Sequence, residues 1–310
     1  MIGFGTWGLS GKDYGYISKK DASELLLLAL RNGINFFDTA PLYGNGKVEK
    51  IIGNILTKDK KLRKKITICT KFGLLPHSSK KLKHNFETNN IDKSLKKSLE
   101  NLKTDYIDIY LMHSPNLSLI DINKVKNHLK KIQKKKMVKH FGISLKNPSD
   151  VFLLKDLKLF RYFEFNFNLL DQRAAQQKVF SYLKKNKKKI ICRTPLCFGF
   201  LTDNLIDKKS LEKQDHRKKF WSTKQFAKWN TYKFLFNDFK KKYKINSLSV
   251  FSILFCLSYK FDYVIPGIMS KNQIVENLSA TKARKINKSD LHKILKIYSK
   301  KEREIFTKNF

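Results

Sequence analysis

Eight short runs rich in β-branched and aromatic residues recur along this chain, each followed by a longer segment with helical spacing. No other feature limits the fold as much. The runs are residues 2–5, 35–39, 66–71, 107–112, 140–144, 162–167, 190–194 and 263–266. After the first, Ala22, Leu25, Leu26, Ala29 and Leu30 fall at i, i+3, i+4, i+7 and i+8; Ser18 and Asp21 form a capping box, and Gly33 supplies the stop. Ile91, Leu95, Ser98, Leu99 and Leu102 form a similar stripe, and further helical stretches begin near residues 47, 122, 148, 174, 247 and 270. Each strand is thus expected to feed a helix.

Eight such units in 310 residues predict a parallel sheet closed into a (β/α)8 TIM barrel, because right-handed crossovers put every helix outside. An open doubly wound sheet is the rival. Against it, the first strand runs into Gly5-Thr6-Trp7-Gly8, which lacks the Gly-x-Gly-x-x-Gly turn of a dinucleotide fold. Two segments fall outside the eight units. Residues 208–244, rich in aromatics and lysine, form an insertion after the seventh strand, expected to be a loop and an extra helix. Residues 288–306 read as a terminal helix. Neither resembles a Pro/Gly/Ser linker, so residues 1–310 are expected to form one domain.

Composition excludes some classes. With 41% hydrophobic residues and 24 Phe there is ample core material, so global disorder is not expected. The longest unbroken apolar run, residues 25–30, is far too short to span a bilayer. The N-terminus has neither the basic region nor the apolar stretch of a signal peptide, which predicts a cytoplasmic protein. Cys69, Cys192, Cys197 and Cys256 fit no zinc or disulfide spacing and read as buried thiols. The 65 basic and 26 acidic residues give a net charge of +39, a field that attracts polyanions. The lysines are spread along the whole chain, however, as solvated helix faces require, and nucleic-acid binding is the weakest functional reading.

In a barrel, chemistry belongs at the C-terminal ends of the strands. The second strand ends near Asp38 and its loop carries Tyr43, the third ends at Lys71, and the fourth runs into His113. Four acid–base groups from three neighbouring strands therefore converge on one face. Taken singly, each has an ordinary explanation as a turn, cap or core residue; together those explanations weaken.

Residues 33–44 (Gly-Ile-Asn-Phe-Phe-Asp-Thr-Ala-Pro-Leu-Tyr-Gly), 70–73 (Thr-Lys-Phe-Gly), 111–115 (Leu-Met-His-Ser-Pro) and 265–267 (Ile-Pro-Gly), with 276–278 (Glu-Asn-Leu), resemble the aldo-keto reductases. The resemblance covers nearly the whole chain, in the right order. It implies a nicotinamide coenzyme across the barrel mouth and a tetrad of Asp38, Tyr43, Lys71 and His113. Tyr43 would deliver the proton that the nicotinamide cannot, with Lys71 bringing the phenol's pKa down, Asp38 orienting Lys71, and His113 holding the substrate oxygen. The resemblance further implies coenzyme contacts from Thr6, Trp7, Ser144, Glu164, Arg193, Thr194, Leu196, Gly199 and Gly267, with Ser270, Lys271, Gln273, Glu276 and Asn277 at the adenosine end. Ser270 and Gln273 also read as a capping box at a helix start, an anion-attracting place to which Lys271 adds charge, so NADP(H) is expected over NAD(H).

Three positions depart from the family pattern: Leu145 stands where Asn is usual, Glu164 where Gln is usual, and Arg193 where a stacking Tyr is common. A β-hairpin that commonly closes the barrel bottom is also absent. The expected substrate is a small carbonyl compound, and the positive field favours an anionic or sugar-derived one. Trp7, the loop near residues 77–86, Asp215, His216, Arg217 and Trp221 are candidate pocket residues. An aldose dehydrogenase using the same site, and a non-catalytic coenzyme-binding regulatory subunit, are the alternatives to a carbonyl reductase.

Overall fold

A computed structural model describes residues 1–59, 61–76 and 82–306. Eight parallel strands form one sheet: β1 (Phe4–Gly5), β2 (Phe36–Asp38), β3 (Thr67–Phe72), β4 (Ile107–His113), β5 (Val138–Ser144), β6 (Phe160–Asn166), β7 (Lys189–Arg193) and β8 (Tyr263–Ile265). The sheet closes on itself through parallel bridges Ile2↔Val264 and Gly5↔Gly267. At this seam a Cβ on Gly5 would lie 3.0 Å from the Ile265 carbonyl oxygen and 3.2 Å from that of Pro266, so glycine lets the first and last strands meet without the backbone giving way. The expected barrel is what the chain forms, with strand ends shifted by at most two residues.

The helices pack outside: α1 (Lys19–Arg31), α2 (Lys47–Lys58), α3 (Thr88–Leu102), α4 (Ile122–Lys134), α5 (Val179–Lys185), α6 (Thr223–Tyr232), α7 (Leu248–Ser258), α8 (Lys271–Ser279) and α9 (Lys288–Ile305). Ser18 caps α1 as the sequence indicates, accepting from the Asp21 N–H at 3.1 Å. Two expectations fail. After β5 the chain makes only a 3-10 helix, Pro148–Leu153, instead of a full α-helix. The segment expected to be helical from residue 174 is also broken, because Lys178 is left-handed (φ +58°) between Arg173–Gln176 and α5.

Inside the barrel a separate apolar cluster of Phe36, Cys69, Ile109, Leu111, Tyr162, Ile191 and Ile265 fills the axis. At the N-terminal end of the strands Phe36 stacks on Tyr263 at 3.8 Å, with planes 22° apart. This aromatic pair closes the bottom of the barrel's interior. The insertion is more ordered than expected: it contains a helical turn His216–Phe220, α6, and the turns Lys233–Phe236 and Asn237–Lys242. Trp229 of α6 is fully buried, with Phe200 at 4.9 Å and Trp221 at 5.3 Å.

Candidate active site

Strand register assembles the site. Asp38 pairs with Cys69 across β2 and β3, and Lys71, two residues further on, shares the inward face because side chains alternate along a strand. His113, Ser144 and Glu164 pair in one row across β4, β5 and β6. The C-terminal ends of five strands thus project polar groups into an otherwise apolar interior. Tyr43 comes from the turn between β2 and α2 and is half-buried, whereas Asp38, Lys71 and His113 are buried.

The Lys71 ammonium has three oxygen neighbours. It donates to Asp38 Oδ1 at 2.5 Å and to the Thr39 carbonyl at 3.1 Å, and lies 3.7 Å from Glu164 Oε1. Burial alone would lower the Lys71 pKa, but the flanking Asp38 and Glu164 outweigh it and hold the ammonium charged well above its ordinary range. Asp38 moves the other way. Burial first, and then the Glu164 charge, push it from 3.8 up to about 7 despite Lys71. Asp38, Cys69 and Glu164 offer ligand atoms within 4.8 Å of one another, yet the Lys71 ammonium already stands against both carboxylates as their cation.

Lys71 Nζ is 5.5 Å from the centre of the Tyr43 ring, and the His113 ring stands edge-on to that ring at 6.5 Å. The tetrad is therefore one cluster. The expected direction of the Tyr43 shift is corrected, however. Lys71 does pull the phenol down, but burial dominates, with Asp38 and Glu164 adding to it, so the net shift is upward. Tyr43 is held as a neutral phenol, the form that carries a proton to give.

Among the residues expected at a coenzyme, several are already engaged. The Thr6 hydroxyl donates to the Asp38 carbonyl at 2.8 Å, which fixes the backbone of the ion pair. Ser144 Oγ donates to Glu164 Oε1 at 2.8 Å. Arg193 reaches back over the β5 end to donate to the Leu145 carbonyl at 3.0 Å, so Leu145 contributes through its backbone where Asn is usual. Thr194 donates to Asn166 Oδ1 at 2.9 Å, and the following loop is left-handed at Cys197, Phe198 and Gly199, with Leu196 half-buried. Gly267 has open space where a Cβ would sit.

At α8, Ser270 accepts from the Gln273 N–H at 3.4 Å. The reciprocal half of the expected capping box is displaced by one residue, since Gln273 Oε1 accepts from the Met269 N–H at 2.7 Å. Lys271 is exposed, 3.6 Å from Glu24 of α1. Glu276 accepts from both Ser247 and Ser249 at 2.5 Å, while Asn277 is buried with its Nδ2 lacking a hydrogen-bond partner. A cavity of about 320 Å³ opens between the starts of α1 and α8, lined in part by Ser18, Glu24, Ser270 and Lys271.

The wall beside Tyr43 is aromatic. Trp7 stacks parallel to Tyr43 at 5.9 Å, and its Nε1–H donates to Asp13 Oδ2 at 3.0 Å. The insertion docks here, with His216 4.3 Å from Trp7 and 4.4 Å from Tyr14. His216 Nδ1 bonds the Asp13 carbonyl at 2.8 Å; a carbonyl only accepts, so Nδ1 carries the proton, and burial lowers the ring's pKa to about 4. Arg217 is paired with Asp215 at 2.7 Å and lies 5.0 Å over the Tyr14 ring, and Trp221 packs on Phe198 at 4.4 Å. Sequence reasoning named Asp215, His216, Arg217 and Trp221 but missed Asp13, Tyr14 and Phe198; the first two meet the insertion through His216, some 200 positions away, and Phe198 meets it through Trp221. Residues 77–81 of the expected pocket loop lie outside the described residues.

The family model of the aldo/keto reductases matches residues 1–299. Among curated proteins, aldo-keto reductase YhdN of Bacillus subtilis is 28% identical over 216 residues, which cover 70% of this chain and 64% of that protein, just under two thirds of its length. The aldo-keto reductase yakc [NADP(+)] of Schizosaccharomyces pombe is 28% identical over 295 residues, 91% of this chain and 84% of its own. Among solved structures, a glycerol dehydrogenase from Gluconobacter oxydans superposes with a TM-score of 0.78 at 21% identity, covering 100% of this chain and 94% of that one, a likeness of fold. Among the described residues no helix is long and apolar enough to cross a membrane.

Proposed function

Because the chain belongs to the aldo/keto reductase family, we propose that it is an NADPH-dependent oxidoreductase that reduces an aldehyde, ketone or sugar-derived carbonyl to an alcohol. The observation that carries this reading is the Lys71 ammonium, bonded to Asp38 at 2.5 Å and set 5.5 Å from the Tyr43 ring, with the His113 ring edge-on to that ring at 6.5 Å. A carbonyl oxygen that gains charge as hydride reaches its carbon needs a proton and a hydrogen-bond donor. Tyr43 holds the proton. His113, whose ring stands 6.5 Å from that of Tyr43, donates to the same oxygen, and Lys71 stabilises the phenolate left behind.

The nicotinamide coenzyme supplies the hydride when bound. Buried polar atoms without partners support a place for it: Glu164 Oε2 and Arg193 Nε beside Lys71, and Asn277 Nδ2 on α8. Lys271 at the start of α8 favours a 2′-phosphate, and the yakc relative carries NADP(+) in its name.

Oxidation of a sugar or polyol by the same groups is a second reading. It is favoured by Asp38, bonded to Lys71 and raised by burial to about 7, a carboxylate that can take up a proton in the reverse direction. Purified protein mixed with NADPH and a panel of aldehydes, keto acids and aldoses separates these readings. Loss of reduced-nicotinamide absorbance supports reduction, turnover only with NADP+ and polyols supports the reverse, and no turnover in either direction contradicts both.

A further inference from the structure

We propose that Glu164 and Arg193 act as one charge-compensated pair that sets the balance between oxidised and reduced coenzyme at this site. The proposal rests on the nicotinamide reading above. Glu164 lies opposite Ile191 across β6 and β7, and Arg193, two residues beyond, shares its inward face. Arg193 Nε stands 4.0 Å from Glu164 Oε1, the same oxygen that lies 3.7 Å from Lys71. Both side chains are tethered, Glu164 by Ser144 at 2.8 Å and Arg193 by the Leu145 carbonyl at 3.0 Å.

The charges of the cluster balance. Lys71 and Arg193 bring two positive charges, and Asp38 and Glu164 bring two negative ones, so the cluster is neutral when all four are ionised. Removing Glu164's charge leaves it at +1, and removing that of Arg193 leaves it at −1. The oxidised nicotinamide ring is a cation and the reduced ring is neutral. To pass hydride to a carbon whose oxygen touches Tyr43, the ring must lie at this barrel mouth, within a few ångströms of the cluster. One unit of charge at that range, in a water-poor interior, changes the relative affinity of the two forms by on the order of tenfold.

The test is equilibrium binding of NADP+ and NADPH without substrate, followed by quenching of tryptophan fluorescence on the alkaline side of neutrality, where Asp38 is ionised. Glu164→Gln is expected to raise the ratio Kd(NADP+)/Kd(NADPH) about tenfold, Arg193→Gln to lower it about tenfold, and the double variant to return it near the wild-type value. Should Glu164→Gln fail to fold, the downward shift in Arg193→Gln alone decides. Unchanged ratios in variants that still bind both nucleotides overturn the pairing and leave the coenzyme reading standing. A wild-type protein that binds neither nucleotide overturns the coenzyme reading, and the pairing with it.

Discussion

The Lys71 ammonium donates to Asp38 Oδ1 at 2.5 Å, with the lysine side chain 1% and the aspartate side chain 5% exposed. Breaking a buried pair by deleting one member is far more costly than the pair's net contribution, because the survivor keeps its charge without its partner. Here the survivor would retain Glu164 at 3.7 Å. Asp38 is therefore not needed merely to keep Lys71 charged; it fixes where the ammonium sits relative to Tyr43.

The first prediction concerns pH. Burial and Glu164 raise Asp38 from 3.8 to about 7 in the folded chain. The folded state then binds more protons than the unfolded one across that interval, and the associated stability is full below about pH 4 and lost as pH rises towards 7. Wild type is expected to lose Tm relative to Asp38→Asn as pH climbs through this window, while the variant reduces carbonyls on the order of a hundredfold more slowly. A wild type that gains Tm relative to the variant over the same range would show that Lys71, not burial, governs Asp38.

Lys271 stands exposed at the start of α8, 3.6 Å from Glu24. Lys271→Ala is expected to weaken NADPH binding by roughly tenfold and to leave NADH binding within about twofold, since only the former carries a 2′-phosphate. Equal losses for the two coenzymes would remove Lys271 from phosphate recognition.

Trp229 anchors the insertion through Phe200 and Trp221, and Trp221 in turn packs 5.1 Å from His216. Trp229→Ala should lower stability by about 3–5 kcal/mol in denaturant titration. It should also raise KM for substrate more than Kd for coenzyme, because the Trp7 wall loses its His216 backing. A shift in coenzyme affinity of the same size would mean that the insertion serves the coenzyme and not the substrate.

Strands and helices were legible because their signals are local. The α1 stripe and its Ser18 cap need only about a dozen residues to declare themselves, and barrel closure follows from eight repetitions. That Asp38, Lys71, His113 and Tyr43 come together was legible for a related reason: register converts positions such as Asp38 and Lys71 into neighbours once the strands are placed. The failures involve energies or partners that sequence does not display. The rise in the Tyr43 pKa comes from the balance between burial and one cation, and position alone shows only the cation. Gln273 reaches Met269 instead of Ser270 because of side-chain geometry at a helix start. The docking of His216 on Trp7 and Tyr14 joins segments some 200 positions apart, and no spacing announces it. After β5, Pro148 enters a short 3-10 turn where helical spacing alone suggested a full helix.

The central claim is that Tyr43 gives up the proton that completes reduction. Tyr43→Phe removes one oxygen and leaves a ring that can still stack on Trp7, now at 5.9 Å. Single-turnover reduction of an aldehyde by this variant, measured beside its NADPH dissociation constant, tests the claim most directly. The expected result is a loss of at least about a hundredfold in the reduction rate with coenzyme affinity within about threefold of wild type. Reduction at the wild-type rate would contradict it.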